Sequence, residues 1–301
     1  VSSEHRSGFG CFVGRPNTGK STLLNAVVGQ KIAITSDKPQ TTRRAIRGIV
    51  TREDSQLIIV DTPGMHRPRT LLGERLGEVV RTVWSEVDVI GFTIPANEKI
   101  GPGDRRIAEE LTEQAGKTPV IGIVTKTDLV KPEQLVAQLM ALERIRPFAD
   151  IIPVSAKADF QVQTLLDLMV THIPVSPRLY PDAEVTDEPV ETRIAEIIRE
   201  ATLDGAREEL PHSLAALVSE ILPREGKPGM LTVFATIYVE RESQKAIVLG
   251  KGGEKLAAVG RSSRTQIEEL LGSRVYLDLH VTVAKEWQRD PKQLRKLGFD
   301  A

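Results

Sequence analysis

The chain has 301 residues, 40% hydrophobic and 27% charged, a composition that suits a folded protein of two ordinary domains and excludes a disordered or membrane-embedded one. Forty Lys and Arg against 41 Asp and Glu leave a net charge of −1, so nucleic-acid binding requires a local basic patch rather than a field over the whole molecule. The one cysteine, Cys11, excludes an intrachain disulfide; no apolar run is long enough for a bilayer and VSSEHRSG is no secretory signal, so a cytoplasmic protein is expected.

The first apolar run, Gly10–Val13, is read as a strand. It is followed by Gly14-Arg15-Pro16-Asn17-Thr18-Gly19-Lys20-Ser21-Thr22 and then by the helix-compatible Leu23–Val28. Strand, Gly-bounded loop and helix give the GxxxxGKS pattern the context in which it binds phosphate. Gly14 and Gly19 let the backbone turn its N–H groups inward, with Asn17, Thr18 and Thr22 completing the loop. Lys20 supplies charge for the β- and γ-phosphates, Ser21 a hydroxyl for Mg²⁺, and the helix N-terminus favours the anion.

Lys38-Pro39-Gln40-Thr41-Thr42-Arg43 follows as a polar loop, in which a threonine, Thr42 in preference to Thr41, can reach Mg²⁺ while a γ-phosphate is present. The strand Gln56–Val60 runs into Asp61-Thr62-Pro63-Gly64. Asp61 is placed to hold the Mg²⁺ shell, and Gly64 to offer a backbone N–H to the γ-phosphate. Strands at 87–94, 118–124 and 150–154 alternate with helices at 71–85, 103–115, 133–142 and 161–172, which predicts an α/β domain: a mostly parallel sheet with helices on both faces. Two of these strands end in further motifs. Thr125-Lys126-Thr127-Asp128 puts an Asp where it can accept from guanine N1–H and the exocyclic amine, with the Lys126 stem over the base. Ser155-Ala156-Lys157 puts the Ala156 N–H where guanine O6 would lie. Four motifs at strand ends along one sheet edge mark a ligand site.

In order and spacing, these four motifs resemble the P-loop GTPases of the translation-factor branch. The usual base motif there is NKxD; this chain has Thr125 in the Asn place, so guanine preference is expected to rest on Asp128. The resemblance implies GTP and GDP with Mg²⁺ as the bound species, and Lys20, Thr42, Gly64 and Asn17 as the residues that act on hydrolysis. In relatives with an Asn at position 17, a K⁺ ion sits beside the phosphates, which makes Asn17 a candidate K⁺ ligand. Where Ras-like enzymes carry a water-orienting glutamine, this chain has Met65. Slow turnover is expected, on the order of 10⁻⁴ to 10⁻² s⁻¹.

Three prolines in 173–181 mark a seam, and a linker is expected at 174–188, between a GTP-binding domain at 1–173 and a second domain at 189–301. There the order changes to a helix (189–210), strands (213–221 and 232–240), helices (243–249 and 254–271), a strand (274–284) and a basic tail with a helix at 291–297. Gly250-Lys251-Gly252-Gly253 lies between two helices. A GxxG turn at a helix junction admits a nucleic-acid backbone closely, and Ile247, Val248 and Leu256 can form a groove for bases. That is the small α+β KH arrangement of the prokaryotic type II, which grips about four nucleotides of single-stranded RNA. Lys255, Arg261 and Arg264 add positive charge, and Trp287 is expected in the core.

With KPQTTR in the switch loop, DTPG, the proline-rich seam, GKGG and the ending WQRDPKQLRKLGFD, the whole chain resembles the Era family of bacterial GTPases that end in a KH domain. The resemblance implies binding near the 3′ end of 16S rRNA, a role in maturation of the small (30S) ribosomal subunit, and peripheral contact with the inner membrane surface; a monomer is expected. An RNA-modifying enzyme would need a second catalytic centre, and a membrane-remodelling GTPase a helical stalk; the sequence offers neither.

Overall fold

The computed structural model describes residues 4–36, 41–64, 70–204 and 213–299. The chain divides into two compact units. The first comprises the described residues of Val1–Ala33, Thr42–Pro68 and Gly73–Asp187; the second, those of Ile34–Thr41, Arg69–Leu72 and Glu188–Ala301.

In the first unit, six strands form one sheet in the order β2-β3-β1-β4-β5-β6. They are β1 (Arg6–Val13), β2 (Ile46–Thr51), β3 (Ser55–Asp61), β4 (Val89–Pro95), β5 (Val120–Thr125) and β6 (Asp150–Pro153). Every pairing is parallel except β2 with β3. Buried along their whole length, β3, β4 and β5 are predominantly apolar, as strands covered on both faces require. The helices are α1 (Lys20–Val28), α2 (Leu71–Glu86), α3 (Pro102–Gln114), α4 (Pro132–Glu143) and α5 (Val162–His172). One core cluster gathers Leu23, Leu24 and Val27 of α1 with Leu165, Leu166 and Met169 of α5; another joins Val80 and Trp84 of α2 to Ile107 and Leu111 of α3. The mostly parallel, two-faced architecture matches the expectation from sequence.

The edge strand β2 has no counterpart in the sequence reading. Arg47 and Gly48 interrupt its apolar run, so neither alternation nor a continuous stretch stands out. Gly48 is there for packing: a Cβ would come within 2.7 Å of Leu24 Cδ1 and Val28 Cγ2, so its absence lets α1 lie close on the strand. The proline-rich segment is also fixed to this unit. Ser7 N–H donates to Pro174 O at 3.1 Å, Ile49 N–H to Val185 O at 2.9 Å, and Gln56 Oε1 accepts from both Leu179 and Tyr180 N–H.

The second unit contains α6 (Val190–Asp204), β7 (Ala215–Pro223), β8 (Met230–Val239), α7 (Glu242–Leu249), α8 (Glu254–Leu271), β9 (Arg274–Val283) and α9 (Pro291–Lys296). Its sheet runs β7-β8-β9, antiparallel then parallel. Val233, Ala235, Ile237 and Val239 alternate along β8 onto one face and meet Ile194 and Ile198 of α6 and Ile267 of α8 in the core. This is the helix–strand–strand–helix–helix–strand order of a type II KH domain. The expected helix 189–210 is seen to Asp204; its remainder lies outside the described residues. Trp287 is fully buried, donates to Ser213 O at 3.0 Å and stacks on Phe299, so it is a core residue. Ile34 also joins this core; the Thr35 N–H donates to Glu200 Oε1 at 2.9 Å, and Arg199 donates to the Thr41 carbonyl.

Candidate functional site

The C-terminal ends of β1, β3, β4 and β5 come together around the loop 14–19. Gly14 is pressed against the end of β4; a Cβ there would lie 2.6 Å from Thr93 O. Gly19 (φ 95°) and Asn17 (φ 64°) take left-handed conformations, which glycine adopts freely and asparagine tolerates better than most residues. The loop is pinned by two residues that the sequence reading passed over. Asp104, almost fully buried, accepts from the Gly101 N–H at the start of α3 and from Arg15 Nε at 2.7 Å; Arg15 also pairs with Glu98. A helix-start Asp is visible in sequence, but a partner 89 positions away is not. Thr18 Oγ1 lies 2.7 Å from Thr93 Oγ1, which donates on to Val13 O.

Lys20 is buried and its ammonium folds onto the loop, donating to Arg15 O at 2.7 Å and Gly14 O at 3.2 Å. Burial pulls its pKa down to about 8, against the attraction of Asp61. Asp61 is held above the usual carboxylate range by burial, opposed by hydrogen bonds from Ser21 and Thr42 and by the Lys20 charge. Ser21 Oγ donates to Asp61 Oδ2 at 2.7 Å, Thr42 Oγ1 to the same oxygen at 3.1 Å, and the two hydroxyls lie 2.9 Å apart. Asp61 Oδ1 is buried with no hydrogen-bond partner. A compact all-oxygen set with an unsatisfied carboxylate oxygen fits a hard divalent cation such as Mg²⁺. Gly64 packs on the phosphate loop so closely that a Cβ would stand 2.9 Å from Pro16 Cα and N. Met65 and residues 38–40 lie outside the described residues.

The base motifs line one cavity of about 160 Å³, formed by Gly19, Thr22, Leu23, Thr125, Lys126, Asp128, Leu129, Val154, Ala156 and Lys157. Leu23, Leu129 and Val154 were not singled out from sequence; apolar residues at such places give no signal apart from ordinary core positions. Lys126 (φ 56°) reaches back to donate to Asn17 O at 2.7 Å, which lays its stem along the cavity. Ser155 is not in the cavity wall. It stands behind Asp128 and donates to Asp128 Oδ1 at 2.6 Å. The structure thus places Ser155 next to Asp128, itself one of the cavity-lining residues.

In the second unit Gly250, Gly252 and Gly253 all have positive φ (71°, 63° and 82°). Around Gly252 and Gly253 there is open space where a Cβ would go, and Lys251 and Lys255 are exposed. The turn is therefore on the surface. Beside it lies an apolar groove lined by Ile247 and Val248 of α7, Lys255, Ala258, Val259 and Ser262 of α8, and Ala201, Thr202 and Asp204 of α6. The contribution of α6 was not legible in sequence; Leu256, expected in the groove, is not among its lining residues and is partly buried against the same core as Val248 and Val259.

Residues 10–126 match the family model described as a 50S ribosome-binding GTPase, and residues 209–288 the KH domain model. GTPase Era of Streptomyces coelicolor is 61% identical over 98% of this chain and 95% of its own length. Its counterpart in Mycolicibacterium smegmatis is 59% identical over 99% and 100%. Among solved structures, Era in complex with MgGDPNP and nucleotides 1506–1542 of 16S ribosomal RNA superposes with a TM-score of 0.94 at 34% identity, covering 99% of this chain and 100% of the other. A variant of Aquifex aeolicus Era bound to GDP·AlF4⁻ gives 0.93 at 34%, covering 98% and 100%. With its phosphate loop, base cavity and GxxG turn matched by relatives along nearly their whole length, the chain belongs to the Era family of GTPases.

Proposed function

We propose that this GTPase is an RNA-binding switch that engages single-stranded RNA near the 3′ end of 16S rRNA and acts in assembly of the small ribosomal subunit. The observation that carries the reading is the coexistence of a strand-end nucleotide cavity with an exposed, cationic GKGG turn beside an apolar groove. The solved relative holding MgGDPNP and nucleotides 1506–1542 of 16S ribosomal RNA supports it.

In this reading the backbone of Gly14–Lys20 and the Lys20 ammonium cradle the β- and γ-phosphates. Ser21, Thr42 and Asp61 hold Mg²⁺, which neutralises charge developing on the phosphoryl oxygens. Gly64 N–H meets the γ-phosphate, Asp128 accepts from the guanine Watson–Crick edge, and the Ala156 N–H meets O6. Hydrolysis removes the anion that Thr42 and Gly64 sense, and both segments are released. Ile247, Gly250, Lys251, Gly252, Gly253 and Lys255 hold the RNA, the glycines allowing the backbone close and the lysines meeting phosphates. Asn17 is a K⁺ ligand candidate as well as a loop residue with positive φ; equal GTP turnover in KCl and NaCl at matched ionic strength removes K⁺ from the scheme.

Peripheral association with the inner membrane surface follows the resemblance, and a cytoplasmic setting follows the composition and cysteine usage of the sequence. No helix among the described residues is long and apolar enough to cross a membrane. The deciding experiment is nucleotide-dependent crosslinking to rRNA with the contacted bases mapped. Crosslinks at the 16S 3′ end through α7–α8 support the proposal; crosslinks indifferent to nucleotide, or confined to other regions of rRNA, overturn it.

A further inference from the structure

Thr125 occupies the place where most relatives of the wider superfamily carry a carboxamide, and its hydroxyl is already committed. Thr125 Oγ1 lies 2.6 Å from Thr18 O and 3.2 Å from Ile94 O, and the residue is 5% exposed. Both neighbours are carbonyls, so the hydroxyl is the donor in either contact. It has one proton. Whichever carbonyl takes it, none remains for a ligand. A carboxamide has two N–H bonds and can serve the phosphate loop and the base together.

The base has an edge that this matters for. With Asp128 on the Watson–Crick side and the Ala156 N–H at O6, the imidazole side of guanine, with its N7 acceptor, turns towards Thr125. Lys126 Nζ is drawn off to Asn17 O at 2.7 Å, which keeps the ammonium over the ring face rather than in its plane.

We propose that Thr125 is a positioning residue that ties the base-binding loop to the phosphate loop and leaves guanine N7 unread, so that this protein accepts 7-deazaguanine nucleotides as well as guanine nucleotides. The proposal rests on the placement of guanine in the cavity described above. It gives selectivity for guanine wholly to Asp128 and the Ala156 N–H, and makes Thr125 a tether between Thr18 and the strand end at Ile94.

The test is a set of equilibrium titrations of the full-length protein with GDP, 7-deaza-GDP and ADP, on the wild type and on Thr125→Asn, Thr125→Ser and Thr125→Val. The wild type binds GDP and 7-deaza-GDP within twofold of each other, and ADP far more weakly. Thr125→Asn gains a preference for GDP over 7-deaza-GDP of about fivefold, the worth of one hydrogen bond. Thr125→Val weakens both guanine ligands equally, and Thr125→Ser restores them. A wild-type preference of fivefold or more for GDP over 7-deaza-GDP overturns the proposal, as does Thr125→Asn without N7 discrimination. Equal binding of GDP and ADP refutes the cavity assignment instead, so the two failures are distinguishable.

Discussion

Ser155 Oγ donates to Asp128 Oδ1 at 2.6 Å, and this bond aims the carboxylate that faces the base cavity. Ser155 is buried and also accepts from the Ala158 N–H, so it is set by its own loop before it sets Asp128. Ser155→Ala leaves Asp128 free to turn and is expected to weaken GDP binding by about 1–2 kcal/mol, roughly five- to thirtyfold. Calorimetric titration checks this. An unchanged Kd would mean that Asp128 is held by the fold without its serine.

Lys20 carries a pKa pulled down to about 8 by burial in the free protein. A phosphate in the loop favours the ammonium form and raises the pKa again. Below pH 8 the lysine is charged before and after binding; above it, binding takes up a proton. GDP affinity is therefore expected to fall as pH rises from 8 to 9, approaching about tenfold per unit. The same depressed pKa makes the free fold gain stability as pH rises from about 8 towards the lysine's ordinary value of 10.5, since the unfolded chain binds more protons there. Titrations at pH 8.5 in two buffers of different ionisation enthalpy read the uptake directly, and zero uptake contradicts the expectation.

Gly252 sits at φ 63° with open space around it. Aspartate tolerates that conformation better than most residues, so Gly252→Asp adds a negative charge at the turn with little strain. A loss of at least about tenfold in RNA affinity is expected, with GDP affinity unchanged. Filter binding with a 16S 3′-end oligonucleotide, beside a GDP titration, checks both halves.

Arg199 donates to the Thr41 carbonyl and pairs with Glu196, while the next residue, Thr42, bonds to Ser21 and Asp61. Consecutive residues are thus held by different partners. Arg199→Met keeps the volume of a buried side chain but removes the donor. RNA affinities measured with GDP and with a non-hydrolysable GTP analogue are expected to converge within about twofold, with the unfolding midpoint measured alongside. A wild-type difference that survives the substitution would rule out this route.

Much of the candidate nucleotide site, as a set of motifs at strand ends, was legible in sequence because its parts are local. A phosphate loop needs Gly14 and Gly19 at fixed spacing, and strand-end motifs advertise themselves by the apolar runs before them. The GKGG turn was legible for the same reason. What escaped depended on contacts between distant residues. The Arg15–Asp104 anchor, the stance of Ser155 behind Asp128 and the entry of Ile34 into the second core all join segments whose proximity no periodicity encodes. β2 escaped because its glycine serves the helix above it rather than the strand itself.

The fit between Gly64 and Pro16, where a Cβ would stand at 2.9 Å, has a consequence for how faithfully the protein can report its nucleotide. An alanine at position 64 would prop this segment off the phosphate loop, away from the terminal phosphate that the proposed scheme brings to its amide. The mutant would still grip guanine and diphosphate, yet triphosphate and diphosphate would look alike to everything downstream, leaving a protein loaded with fuel and blind to it.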